Sequence, residues 1–219
     1  MRNRRQKLAL SAAALMSLVM PLIVAVPASA AEEATLSVSK TGNGGGTVTS
    51  SPGGIDCGGD CSNNYELGTQ VTLTAAENAT SVFTGWSGGG CSGIAPCTVT
   101  VNANTNVQAN FVACTIIGAN YIFGTLGDDV MCGGSGHDGF IDLGGDDIIS
   151  GKGGADVVFT APGNDWVSGG PGNDWMFGEM GDDVLIGGDG TDYAYGDIPY
   201  APQGTDVCDA ENKFWGCES

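Results

Sequence analysis

Residues 124–195 decide the fold of this chain, because they divide without a gap into eight units of nine: GTLGDDVMC, GGSGHDGFI, DLGGDDIIS, GKGGADVVF, TAPGNDWVS, GGPGNDWMF, GEMGDDVLI and GGDGTDYAY. The fourth place of every unit is glycine, the sixth is aspartate and the eighth is apolar. A fixed period of this kind is typical of a solenoid, in which each unit stacks on its neighbours.

Each unit predicts a tight glycine-rich loop followed by a strand of three residues. Glycine reaches the backbone conformations that such a loop needs, and alternation along the strand turns the eighth residue inward and its two neighbours outward. Two units complete one turn, so residues 18 apart stack at about 4.8 Å. The sixth-place aspartates therefore form one stack on each edge: Asp129, Asp147, Asp165 and Asp183, and Asp138, Asp156, Asp174 and Asp192.

Stacked aspartates repel one another unless a cation lies between them. A hard cation with six to eight oxygen ligands removes the repulsion by binding carboxylates and loop carbonyls. Calcium suits this role better than magnesium, which demands octahedral geometry and keeps its waters. With three gaps between the four loops of each edge, we expect about six calcium ions held by all eight aspartates. Asn120 and Asp206 are candidates for incomplete further sites, and a solvated acidic face is the alternative interpretation.

Over residues 115–208 the pattern closely resembles the repeats-in-toxin (RTX) family of calcium-binding nonapeptide repeats. The resemblance implies a parallel β-roll with calcium as its cofactor. Asp142 and Thr160 depart from the family pattern, because each replaces the first glycine of its unit.

The first 30 residues predict a cleaved signal peptide. A basic head precedes the uncharged stretch Leu8–Val26, and Ala28-Ser29-Ala30 is typical of a cleavage site. A retained membrane anchor is the alternative, since the stretch is nearly long enough to span a bilayer. We expect cleavage after Ala30, secretion to the extracellular space or the cell surface, and no stable membrane insertion afterwards.

After this cleavage, three lysines face 25 acidic residues. Such a charge balance excludes nucleic acid as a partner and disfavours an anionic membrane surface. It favours cations instead.

The eight cysteines all follow residue 30 and form four close pairs: Cys57/Cys61, Cys91/Cys97, Cys114/Cys132 and Cys208/Cys217. In an exported protein an even set favours disulfides, with a zinc site built from the first four as the alternative. Cys114 and Cys132 are 18 residues apart, so this pair is expected to join adjacent turns of the roll.

Residues 31–113 predict a small all-β module. Short alternating runs mark its strands: Thr35–Lys40, Thr47–Ser50, Gln70–Thr74, Val82–Trp86, Thr98–Val101 and Asn106–Val112. The strings GTVTSSPGGIDCGGDCS (46–62) and FTGWSGGGCSG (83–93) resemble the divergent internalin B-repeat-like domain, which implies a surface or spacer module. The chain is thus expected to be all-β, with segments 1–30, 31–113 and 114–219, the last closed by a C-terminal cap.

These features favour an exported, non-enzymatic calcium-binding protein that serves as a surface or extracellular structural or interaction module. A hydrolase is disfavoured, because His137 is the only histidine and residues 31–113 hold six acidic residues. The expected partner class, besides calcium, is a cell-surface or extracellular polysaccharide or protein.

The alternative is a calcium-dependent adhesin or glycan-binding protein that uses an apolar and aromatic stripe on one outer sheet face. A ladder of cross-strand rings that stiffens the sheet explains the same residues. The stripe comprises Ile141, Val157, Phe159, Trp175, Phe177, Tyr193 and Tyr195.

Overall fold

The computed structural model describes residues 31–197, 205–210, 212–214 and 216–218, and the predicted signal peptide lies outside them. The described residues form 20 strands and no helix, which confirms the all-β fold class. No helix able to cross a membrane therefore occurs in this part of the chain.

The N-terminal module consists of two mainly antiparallel sheets that pack face to face, with strand orders β3-β1-β7-β5 and β2-β4-β6. Its core includes the fully buried Leu36, Val71 and Phe111. The strands are β1 (Glu33–Thr41), β2 (Gly46–Ser51), β3 (Ser62–Glu66), β4 (Thr69–Glu77), β5 (Ser81–Ser87), β6 (Cys97–Val101) and β7 (Thr105–Ala113).

All six strand runs predicted for this module are present, but the sequence did not predict β3. This strand reads SNNYE and buries only Tyr65. It lies at the sheet edge, antiparallel to β1, where strands are commonly short and polar, so its apolar signal is weak.

All four predicted disulfides are formed, and none of the cysteines is free. The alternative of a zinc site is therefore wrong. Cys114, which directly follows β7, is bonded to Cys132 of the roll, with their Cα atoms 5.9 Å apart.

The roll follows directly after this module. Its successive strands belong alternately to two parallel sheets. Sheet I has the order β8-β10-β12-β14-β16-β18-β20 and sheet II the order β9-β11-β13-β15-β17-β19. The strands are β8 (Ile116–Ile117), β9 (Tyr121–Phe123), β10 (Val130–Cys132), β11 (Gly139–Ile141), β12 (Ile148–Ser150), β13 (Val157–Phe159), β14 (Trp166–Ser168), β15 (Trp175–Glu179), β16 (Val184–Ile186), β17 (Tyr193–Asp197), β18 (Asp206–Asp209), β19 (Asn212–Phe214) and β20 (Cys217–Glu218).

The strand register confirms the predicted turn of two units. Val130 pairs with Ile148, and Ile148 pairs in turn with Trp166, each 18 residues further on. The eighth-place residues are fully buried between the sheets: Met131, Phe140, Ile149, Val158, Val167, Met176, Leu185 and Ala194. The core of the roll is thus a single column of side chains.

Two ninth-place residues of sheet I, expected to point to solvent, are buried. Cys132 is bonded to Cys114, and Ser150 donates a hydrogen bond from Oγ to Oε1 of Glu77 at 3.4 Å. The difference arises because the N-terminal module covers this part of the sheet.

One ion pair joins the module to a loop of the roll. Nζ of Lys152 lies 2.5 Å from Oε1 of Glu77, at the end of β4. The same ammonium group donates to the carbonyl of Asn78 at 3.3 Å and to that of Ser81. Because Lys152 is one of three lysines beyond residue 30, this contact uses a scarce cation to hold the two parts together.

Candidate metal centres

The loops that connect the two sheets form the two predicted stacks. The Asp129 edge comprises loops 124–129, 142–147, 160–165 and 178–183, which lead from sheet II to sheet I. The Asp138 edge comprises loops 133–138, 151–156, 169–174 and 187–192, which lead from sheet I to sheet II. Each loop ends in one of the eight predicted aspartates, so the structure brings all of them into the two stacks.

A hydrogen-bond ladder fixes Oδ1 of every stacked carboxylate except that of Asp129, the first of its edge. The backbone N–H of Asp129 donates to Oδ1 of Asp147 at 2.7 Å, and the same step recurs along both edges. Among the described residues, seven such bonds of 2.7–3.0 Å join successive aspartates: four along Asp129, Asp147, Asp165, Asp183 and Asp206, and three along Asp138, Asp156, Asp174 and Asp192.

The second oxygen of most of these carboxylates is buried without a hydrogen-bond donor. This holds for Oδ2 of Asp147, Asp156, Asp165, Asp174, Asp183 and Asp206, each residue at most 1% exposed. Burying a charged oxygen without a partner costs several kcal/mol (roughly 2–7 for a neutral polar group alone). A cation between the loops removes that cost, so these residues fit a bound calcium ion with oxygen ligands.

The first aspartate of each edge is held differently. Oδ2 of Asp129 accepts from the backbone N–H and the hydroxyl of Thr125, at 2.7 and 2.8 Å. Oδ2 of Asp138 accepts from the N–H of Gly134 at 2.7 Å. Hydrogen bonds within the first loop of each edge therefore hold Oδ2 of its aspartate, whereas Oδ2 of the six aspartates named above has no donor.

Burial raises the pKa of five interior carboxyl groups well above the ordinary value of 3.8. The pKa reaches about 7 for Asp147, Asp156, Asp165 and Asp183 and about 6 for Asp174. Loss of hydration is the largest cause in each case, and neighbouring carboxylates add to it. Contact with Asp142 raises the pKa of Asp147 further. Without a cation, these five groups therefore titrate near neutral pH.

The calcium-free roll is expected to gain stability as the pH falls from about 8 to about 5. The five carboxyl groups above have a higher pKa folded than unfolded, so folding takes up protons. Their stabilising contribution is full below about pH 4 and is lost as the pH rises through about 6 to 7. Circular dichroism of the demetallated chain across this range measures the effect. A folded fraction that rises with pH would contradict the assignment.

The space in the loops explains the glycine pattern. A Cβ built on the first-place Gly151 would lie 2.3 Å from Oδ2 of Asp156, and one on Gly169 would lie 2.2 Å from Oδ2 of Asp174. The first glycine thus leaves room beside the donor-free oxygen. A Cβ on the fourth-place Gly163 would lie 1.7 Å from the carbonyl oxygen of Gly145, one turn earlier. The fourth glycine therefore permits the loops to stack.

Two carboxylates besides the eight predicted ligands also lie in the Asp129 edge, and one of them, Asp206, is the candidate predicted for an incomplete further site. Asp206 continues the ladder, because its Oδ1 accepts from the N–H of Asp183 at 3.0 Å. Because of an insertion, Asp206 follows Asp183 by 23 residues rather than by 18. In the sequence, only the triplet Gly204-Thr205-Asp206 indicates that the repeat pattern resumes. Asp142 lies with Asp129 and Asp147 in a cluster whose oxygens are within 4.8 Å of one another.

The aromatic stripe lies on the outer face of sheet II, as predicted, and its rings stack on one another. Phe177 stacks on Phe159 and on Tyr195, with centroids 4.8 Å apart and planes within 10°. Tyr195 continues to Phe214 at 4.6 Å. Neighbouring rings therefore cover both faces of Phe177 and of Tyr195, and a sugar ring needs an open face to stack. The geometry favours the stiffening ladder over a glycan platform.

Known families match both parts of the chain. Residues 36–115 match the family model of the divergent InlB B-repeat domain. Residues 117–140, 141–176 and 159–194 match that of the RTX calcium-binding nonapeptide repeat. No curated protein and no solved structure matches the chain. The family matches cover the segments whose sequence patterns suggested these two families, and they identify calcium as the ion of the repeats.

Proposed function

Because the chain joins a divergent InlB B-repeat domain to RTX calcium-binding nonapeptide repeats, we propose that it is an exported, non-enzymatic protein whose roll folds when calcium binds. In this proposal it serves as an extracellular or cell-surface structural module. The observation that carries the proposal is the set of buried aspartate oxygens without donors.

The ligands are the eight sixth-place aspartates together with Asp206. Seven pairs of successive aspartates are linked by the ladder, four on the Asp129 edge and three on the Asp138 edge. One ion per pair gives seven calcium ions, one more than the repeat count alone suggests. The additional ion belongs to the pair of Asp183 and Asp206.

Bound calcium supplies positive charge and oxygen coordination between the loops. The chain's own residues keep carboxylates stacked and shielded from water, and the roll core is one residue wide. Calcium binding therefore becomes part of the folding free energy. Extracellular calcium modules have a Kd on the order of 10⁻⁴ to 10⁻³ M, so such a roll stays unfolded in the low calcium of a cell interior and folds after export.

Export is supported by the four disulfides, which form in oxidising compartments, and by the composition of residues 1–30. The test is the N-terminal sequence of the protein recovered from the medium or from the cell surface. We expect it to begin at Ala31. Protein that retains Met1 and stays inside the cell would contradict export.

Replacement of one interior aspartate tests the assignment of ligands. Asp174 belongs to two pairs, with Asp156 and with Asp192. We expect Asp174→Asn to lower the calcium stoichiometry from seven by one or two, as measured by isothermal titration calorimetry with magnesium as competitor. Asp189→Asn removes the same charge from an exposed position of the Asp138 edge and should leave the stoichiometry unchanged.

Two results would count against the proposal. One is a chain that binds no calcium, or binds magnesium equally well. The other is an equal loss of ions in the Asp174→Asn and Asp189→Asn proteins, because net charge rather than ligand position would then govern binding.

A further inference from the structure

We infer that Asp142 adds a third carboxylate to the first calcium site of the Asp129 edge, which makes this the tightest calcium site of the roll. The inference rests on the proposed function, in which pairs of stacked aspartates hold calcium. It concerns a residue that lies outside the repeating ligand positions.

Asp142 occupies the first place of its unit, where six of the eight units have glycine. Its side chain is only 3% exposed, so it points into the roll rather than into solvent. Gly124, one turn earlier, provides the space: a Cβ there would lie 1.8 Å from Oδ1 of Asp142. The loop before Asp142 therefore accommodates its carboxylate.

One oxygen of the Asp142 carboxylate is held by a hydrogen bond, and the other has no donor. Oδ2 of Asp142 accepts a hydrogen bond from the N–H of Gly144 at 2.5 Å. Oδ1 of Asp142 and Oδ2 of Asp147 are both buried without a donor. Ligand oxygens of these two residues and of Asp129 all lie within 4.8 Å of one another. Three carboxylates at this distance repel strongly, and a divalent cation bound among them relieves the repulsion.

The other unit that departs from the first-place glycine does not offer this chemistry. Thr160 is buried, and its hydroxyl donates to the carbonyl of Gly178 at 2.6 Å. It adds no charge to the loop that it begins. The cluster at Asp142 is therefore the one three-carboxylate group found among the described residues.

Charge and position give this site a distinct role. Calcium affinity is tuned by the number of charged ligands and by the rigidity of the site. Here three carboxylates replace the two of an aspartate pair, and the Cys114–Cys132 disulfide ties β10, which directly follows Asp129, to the chain just before β8. The first ion to bind therefore orders the first turns, and stacking then extends along the roll.

The test is a calcium titration of the exported chain in competition with a chromophoric chelator. The wild-type chain is expected to show one tight site and a group of weaker sites. Asp142→Asn and Asp142→Gly, which restores the family's glycine, should each weaken that single site by about tenfold or more and leave the others unchanged. Circular dichroism at saturating calcium verifies that each variant is folded.

Asp146→Asn is the matched control, since it removes the same charge from an exposed position of the same loop. It should keep the tight site. Titrations of the Asp142 variants that coincide with the wild type, or an equal effect of Asp146→Asn, would overturn the inference while the proposed function stands. A wild-type chain that binds no calcium would overturn both.

Discussion

Removal of calcium from the exported chain is expected to unfold the roll while residues 31–113 remain folded. Without the ion, each edge holds a stack of buried carboxylates, and the single column of core side chains does not offset their repulsion. Linkage adds about 2.7 kcal/mol for each site when calcium exceeds its Kd about a hundredfold. Several such sites account for most of the stability of a small domain.

The N-terminal module differs from the roll in two features that stabilise it without calcium, its core and its disulfides. Its core is built from two facing sheets and includes Leu36, Val71 and Phe111, and its two disulfides, Cys57–Cys61 and Cys91–Cys97, do not depend on calcium. The module carries none of the stacked aspartates. Its stability should therefore change little when calcium is withdrawn.

Hydrogen–deuterium exchange measured by mass spectrometry checks this prediction region by region. In chelator, the amides that link successive turns, such as N–H of Ile148 to the carbonyl of Asp129, should exchange almost completely within the shortest labelling time. Added calcium should restore their protection and magnesium should not. Protection of the roll in chelator would show that the aspartate stacks do not control folding.

Gly163→Ala is expected to destabilise the calcium-loaded roll by at least about 3 kcal/mol. The added Cβ would lie 1.7 Å from the carbonyl oxygen of Gly145, which is backbone of the preceding turn. This carbonyl cannot rotate away as a flexible side chain can, so the two loops must separate. Separation breaks the hydrogen-bond ladder between Asp147 and Asp165 and opens the gap that holds an ion.

Gly127→Ala is the matched control for this substitution. Gly127 has the same fourth place on the same edge, but an added Cβ would meet nothing within 4 Å, because no complete unit precedes its loop. Neither glycine has a left-handed φ, so the comparison tests the steric clash without a contribution from backbone strain. We expect Gly127→Ala to change stability by less than about 1 kcal/mol. Urea unfolding in saturating calcium measures both, and equal midpoints would contradict the steric explanation.

The sequence by itself determined the repeating part of this protein. A strict period of nine converts position along the chain into position in space, because every unit repeats the same loop and strand. It therefore predicted the two-unit turn, the inward column from Met131 to Ala194 and the two aspartate stacks. The bond predicted between Cys114 and Cys132 is also formed, although the first strand pair has a shorter register, with Cys132 opposite Ile117.

Only the tertiary structure decided the features that break the period. The burial of Ser150 and the pairing of Lys152 with Glu77 join residues more than 70 positions apart, and no local pattern encodes such a contact. The sequence made Asp206 a candidate for a further site, but only the structure shows that it rejoins the stack across an insertion. Asp142 turns inward because Gly124 leaves space one turn earlier. In each case the outcome depends on which distant atoms occupy the neighbouring space, and a repeat pattern carries no information about that.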